Sequence, residues 1–132
     1  MSREIYWLTL TLGVTLLFWV PYVLNRMLVL GIGGTFANPK ATDKPLAQWA
    51  QRAKAAHANA IENLALFAPA VLAVHALSAG DATTVLGCKI YFFSRLVHFI
   101  AYTGGIPVVR TLAFFGGWAG TAILVARLAG LA

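Results

Sequence analysis

The chain has 132 residues, 60% of them hydrophobic and 11% charged, with a mean hydropathy of +0.77. A soluble domain carries about 25% charged residues, so a soluble enzyme is excluded, and the length allows four membrane spans of about 20 residues and little else. The net charge of +6 is spread thinly and forms no compact basic stripe with interleaved aromatics; it points to lipid headgroups or a small anionic ligand, and to no nucleic acid.

The first span is predicted over residues 5–30. The apolar run from Ile5 to Leu24 is too long for a cleavable signal core and no small-x-small site follows it, so it reads as a retained span. Pro21 is expected to kink this helix, and Gly31, Gly33 and Gly34 to end it, before a loop with Asn38-Pro39 and Lys44-Pro45. The second span is predicted over 46–78. Its purely apolar part, Leu64 to Leu77, is too short to cross a bilayer alone, but alanine-rich sequence from Leu46 to His57 extends it upstream. One long helix with a protruding polar lower part follows from this pattern. Counting back about 20 residues from Ser78 places the far boundary near Ala58, with Glu62 about 6 Å inside it.

A turn at Asp81 precedes the third span, over 83–103, and Gly104-Gly105 with Pro107 makes the turn into the fourth, over 108–131. Short turns between neighbouring spans predict an all-α integral membrane fold, an antiparallel four-helix bundle occupying 1–132 as one domain. The lone Cys88 excludes an intrachain disulfide and otherwise counts as a small hydrophobe. Arg26, Lys40, Lys44, Arg52 and Lys54 flank the first loop against a single acid, Asp43. The positive-inside rule therefore puts the 1–2 and 3–4 loops in the cytoplasm and both termini outside.

Ionisable groups inside a span cost about 2.5–3.5 kcal/mol each even on a lenient insertion scale, so they mark a partner or a task. Arg95, His98 and Tyr102 have i, i+3, i+7 spacing and share one face of the third span. Arg95 lies about 12 Å below the cytoplasmic end of that helix. Asn59, Glu62 and Asn63 cluster on the second helix in the same half of the membrane, and Arg110 opens the fourth at the same boundary. The plain reading of each residue alone is interhelical glue, worth about 0.6 kcal/mol, and a Glu62–Arg95 ion pair could be purely structural. The whole set, converging at one depth, points instead to a ligand. No metal is expected there, because His57 and Glu62 are five residues apart, poor for one helical face, and no cysteine cluster assists. Gly116-Gly117-x-x-Gly120 reads as a small-residue surface for close helix packing.

Asn59-x-x-Glu62, Arg95-x-x-His98-x-x-x-Tyr102, Arg110 and the Phe36-Ala37-Asn38-Pro39 loop together resemble the pattern of MAPEG proteins, the membrane-associated proteins of eicosanoid and glutathione metabolism. The resemblance covers nearly the whole chain and is to bacterial-type members, which implies a bacterial inner membrane as its location. It implies a homotrimer of four-helix subunits that binds glutathione as co-substrate, without metal, between neighbouring subunits near the cytoplasmic face. By similarity Asn59, Glu62, Arg95, His98 and Tyr102 would hold the tripeptide and Arg110 would face its sulfur. Glutathione has two carboxylates and one ammonium. Arg95 and Arg52 suit the carboxylates, since guanidinium makes bidentate charge-assisted bonds, and Glu62 suits the ammonium. Arg110 would favour the thiolate and Thr111 would add a hydrogen bond to sulfur, while a lipophilic electrophile arrives from the lipid.

Better-studied members carry further basic residues just before the Asn and at the end of the first span. Here Ala55, Ala56 and Ala58 surround His57, and the first span ends in Val29-Leu30. The expected function is a glutathione transferase or peroxidase-like membrane enzyme. The alternatives are a non-catalytic member of the same scaffold and a small four-span transporter. Against the transporter stands the first span, whose one acid, Glu4, is at its edge.

Overall fold

The computed structural model describes residues 1–131. Five helical segments follow one another: α1 (Arg3–Leu17), α2 (Trp19–Phe36), α3 (Gln48–Ala76), α4 (Ala82–Gly104) and α5 (Pro107–Leu128). Together α1 and α2 form one apolar stretch of 34 residues, and with α3, α4 and α5 they give four helices long and apolar enough to cross a membrane. The chain is an integral membrane protein, and its described residues form an all-α bundle.

The first span carries the expected kink and departs from expectation at its end. It breaks at Phe18, three residues before Pro21. Proline has no N–H to give the carbonyl four residues back, and its ring crowds that carbonyl, so the regular ladder ends at Leu17. The glycines do not end the helix. Gly31 adopts φ 72° and ψ 174°, a conformation open to glycine, and the helix resumes to Phe36. Phe18, at the break, stacks on Phe99 of α4 with centroids 4.0 Å apart. The second span is one 29-residue helix that runs through Pro69 without interruption.

Outside the bundle the surface is apolar. Leu16, Leu28, Leu66 and Leu112 are exposed. In water so much contiguous apolar surface would drive association, but in a bilayer these side chains meet lipid. Lipid removes the usual hydrophobic drive for helix packing, so close approach over small residues must supply it. This happens between α4 and α5. A Cβ on Gly120 would stand 2.5 Å from the Gly87 carbonyl oxygen and 2.9 Å from the Tyr91 nitrogen, and one on Gly116 would collide with the Ser94 hydroxyl. Tyr91 in turn stacks on Phe67 of α3, with centroids 3.7 Å apart. Leu8, Val71, Val74 and Leu124 complete this core.

The two turns around α4 are built differently. At its start Asp81 accepts from the Thr83 and Thr84 N–H groups at 2.8 and 2.9 Å, and its own N–H donates to the Thr84 hydroxyl, a capping box. At its end Gly105 takes φ 76°, ψ 32°, and the Ile106 N–H returns to the Ala101 carbonyl. Pro107 then starts α5, where its missing N–H is not needed.

Gly120→Ala is expected to force α4 and α5 apart, because both neighbours are backbone atoms, and to cost about 1–3 kcal/mol. Gly13→Ala meets nothing within 4 Å and should leave stability unchanged or raise it. Thermal unfolding in detergent compares the two; equal midpoints would show that the glycine contact does not hold the bundle. The Thr84 N–H above all, then Arg127, the Thr83 N–H and the Thr84 hydroxyl, hold the Asp81 carboxyl below its ordinary pKa, against the opposing effect of burial. A depressed folded-state value gives stability that is full above the unfolded value of about 3.9 and is lost as pH falls through the folded one. Unfolding midpoints should therefore drop at acid pH in the wild type, with that component absent in Asp81→Asn.

Candidate functional site

The α4 face predicted from spacing points into the bundle. Arg95 and His98 are buried, at 3% and 2% exposure, and Tyr102 is half-buried one turn further on. The stem of Arg95 runs over α5 where Gly117 leaves room, since a Cβ there would sit 3.1 Å from Arg95 Cδ. Its head turns to α3, where Nη2 donates to Asn59 Oδ1 at 2.7 Å. Asn59 is itself oriented by Asn63, whose amide donates to the Asn59 carbonyl at 2.8 Å and to Oδ1 at 3.2 Å. Among the described residues no acceptor reaches Arg95 Nε or Nη1, and His98 Nδ1 has no partner either. A buried cation with one neutral acceptor is therefore central to three helices.

Beside it lies a cavity of about 240 Å³ lined by Asn59, His98, Tyr102, Arg110, Thr111, Phe114 and Phe115. The Arg110 guanidinium lies 4.9 Å above the Tyr102 ring. His98 packs edge-on against Tyr102 at 5.6 Å and tilts against Phe114 at 6.4 Å. The Thr111 hydroxyl donates to the Pro107 carbonyl at 3.0 Å. The wall contains one arginine, a second stands behind it, and no acid lines it. Such a cavity favours an anion.

Two residues assigned to the same ligand on sequence grounds lie elsewhere in this protomer. Arg52 Nε donates to the Thr103 carbonyl at 3.0 Å, and the guanidinium lies over Gly105, so it satisfies the exposed C-terminal end of α4. Glu62 is exposed on α3 and makes no hydrogen bond or ion pair with any described residue; Arg95 turns to Asn59 instead. His57 is tied to α2, its Nδ1 lying 2.8 Å from the Tyr22 hydroxyl.

Sequence reasoning missed the aromatic wall. Phe114 and Phe115 follow Arg110 and Thr111 at i+4, the spacing that brings side chains together on a helix, so periodicity could have found them.

A family model described as the MAPEG family matches residues 5–130. No curated protein and no solved structure matches the chain.

Asn59→Ala removes the acceptor of a buried guanidinium and is expected to cost about 1.5–3 kcal/mol, read as a lowered unfolding temperature in detergent. Arg95→Met removes the charge and nearly keeps the volume, and should unfold at or above the wild-type temperature. If Arg95→Met were the less stable of the two, the Arg95–Asn59 pair would be a net stabiliser of the bundle.

Proposed function

Because the chain belongs to the MAPEG family, we propose that it is a membrane-bound, glutathione transferase or peroxidase-like enzyme that activates the glutathione thiol for attack on a lipophilic electrophile. The observation that carries this reading is the acid-free cavity walled by Arg110, Tyr102 and His98 with Arg95 buried behind it. The glutathione carboxylates are the natural acceptors for the Arg95 donors that no described residue satisfies.

The site is shared between subunits of a homotrimer. Support comes from size: about 240 Å³ within one chain falls below the roughly 300–1,000 Å³ usual for small-molecule pockets. Glu62 is exposed on α3 and has no partner among the described residues, so it is available to a ligand ammonium lying outside this chain. Arg95 and Arg52 serve the carboxylates, and Asn59, His98 and Tyr102 complete the cradle. No metal takes part.

Arg110 is the catalytic residue of this reading. Placed beside the sulfur, its charge favours thiolate over thiol. Lowering a thiol pKa by two units needs about 2.7 kcal/mol, which one cation in a partly dehydrated cavity supplies. Thr111 donates a further hydrogen bond to sulfur once its hydroxyl turns from the Pro107 carbonyl. The thiol proton leaves to water and sulfur bonds to the electrophilic carbon; the leaving group departs with its bonding electron pair, or, where a ring or double bond opens, the electrons stay on the substrate and are protonated from water. Phe114 and Phe115 form the apolar side by which that substrate enters from the lipid. The site lies at the cytoplasmic boundary of a bacterial inner membrane, with both termini outside.

Calorimetric titration of glutathione into detergent-purified protein tests this. Glu62→Gln should weaken binding about tenfold, the loss of one charge-assisted bond. Arg110→Ala should bind but lose the thiolate absorbance and the conjugating activity. No heat at millimolar glutathione would reject the reading and leave a scaffold without this co-substrate.

A further inference from the structure

At the opposite end of the bundle, the first turn of α1 meets the α3–α4 turn around a second cavity, of about 380 Å³. Its floor holds Glu4, a carboxyl group only 6% exposed. Oε1 accepts a 2.6 Å hydrogen bond from the Thr84 hydroxyl, across 80 residues of sequence. No donor among the described residues reaches Oε2, which is left accessible rather than buried. Gly80 makes the cradle: a Cβ there would stand 2.5 Å from Oε1 and 3.4 Å from Oε2. Arg3 is exposed on the rim and pairs with no described group, whereas Asp81 is already engaged by Arg127 at 3.5 Å and by the α4 cap. His75 and Ser78, at the end of α3, line it as well, together with Val74 and Val85.

The chemistry of the occupant follows from this set. One open carboxyl oxygen is too few for a divalent cation, which takes six or more oxygens. A quaternary ammonium is disfavoured because no Trp, Tyr or Phe ring lines the cavity and such a group has no N–H to give. A primary ammonium fits, donating to Oε2, with room beside it for an anion on Arg3. The place fits a lipid, since residues at the ends of three candidate spans line the cavity and Val74, Ala82 and Val85 give it an apolar side. We propose that the Glu4 cavity binds the ethanolamine-phosphate headgroup of a membrane phospholipid, the ammonium on Glu4 and the phosphate on Arg3. This site is independent of the glutathione reading.

The test is delipidated, detergent-purified protein titrated with phosphatidylethanolamine and with phosphatidylcholine of identical chains. Lipid retention is read by native mass spectrometry and stability by the unfolding midpoint. Wild type should retain the ethanolamine lipid about tenfold better, the worth of one charge-assisted bond. Glu4→Gln, which keeps an acceptor for Thr84, should bind both lipids alike. Gly80→Ala, which pushes the carboxyl from its cradle, should do the same, and it carries the test if Glu4→Gln does not fold. Arg3→Gln should weaken both lipids equally. Equal retention by wild type, or discrimination surviving in both Glu4→Gln and Gly80→Ala, overturns the proposal. Soluble phosphoethanolamine matching the lipid at equal concentration would overturn the lipid as its source.

Discussion

The guanidinium of Arg95 sits where neither lipid nor bulk water satisfies it, and the half of the bundle next to the α4–α5 turn is arranged around that fact. Gly117 on α5 is bare where the arginine stem crosses, and Asn59 on α3 is turned by Asn63 so that its oxygen faces the cation. Three helices are therefore registered by one side chain. The arrangement is not the most stable that the space allows. A buried cation with one neutral acceptor retains much of its desolvation penalty, and an apolar side chain of similar volume would avoid it. Stability alone does not account for arginine at this position, whereas an anion bound beside it would.

The tight α4–α5 pairing gives that cation a rigid support. With Gly87 and Gly120 in backbone contact, the two helices cannot slide past each other without opening the ridge between them. Tyr102 and Arg110 lie on opposite sides of the Gly105 turn, whose left-handed residue fixes how α5 departs from α4. The geometry of the cavity is thus set by a turn and a glycine contact, both made of backbone. Its side chains add charge to a frame that already exists.

Much of this was legible in the residues. The spacing of Arg95, His98 and Tyr102 places them on one face, and the short turn before Pro107 brings Arg110 to their level. Depth along a helix is a count of residues and can be read directly. Rotation about the helix axis is decided by packing and cannot. That is why Glu62, at the right depth, proves to be on the outside of α3, and why Arg52 ends on the Thr103 carbonyl. The break at Phe18 follows from Pro21 once the carbonyl four residues back is considered, whereas the resumption of helix after Gly31 depends on the surrounding fold. The Glu4–Thr84 bond joins residues with no local signal linking them.

The fourth helical segment in the chain connects the two polar ends. Thr84 and His98 are 14 residues apart on α4, about 21 Å along its axis. One end of that helix is capped by carboxyl groups, Asp81 directly and Glu4 through Thr84; the other receives Arg52 on its last carbonyls. Both arrangements match the helix dipole, negative groups at the N-terminus and positive at the C-terminus. On the two proposals above, the end with Arg95 and Arg110 takes the carboxylates of its ligand, and the end with the open carboxyl oxygen takes the ammonium of a zwitterion. At that separation the two sites do not touch. Anything bound at one end can influence the other only by shifting α4 as a body, and the glycine contact with α5 opposes such a shift.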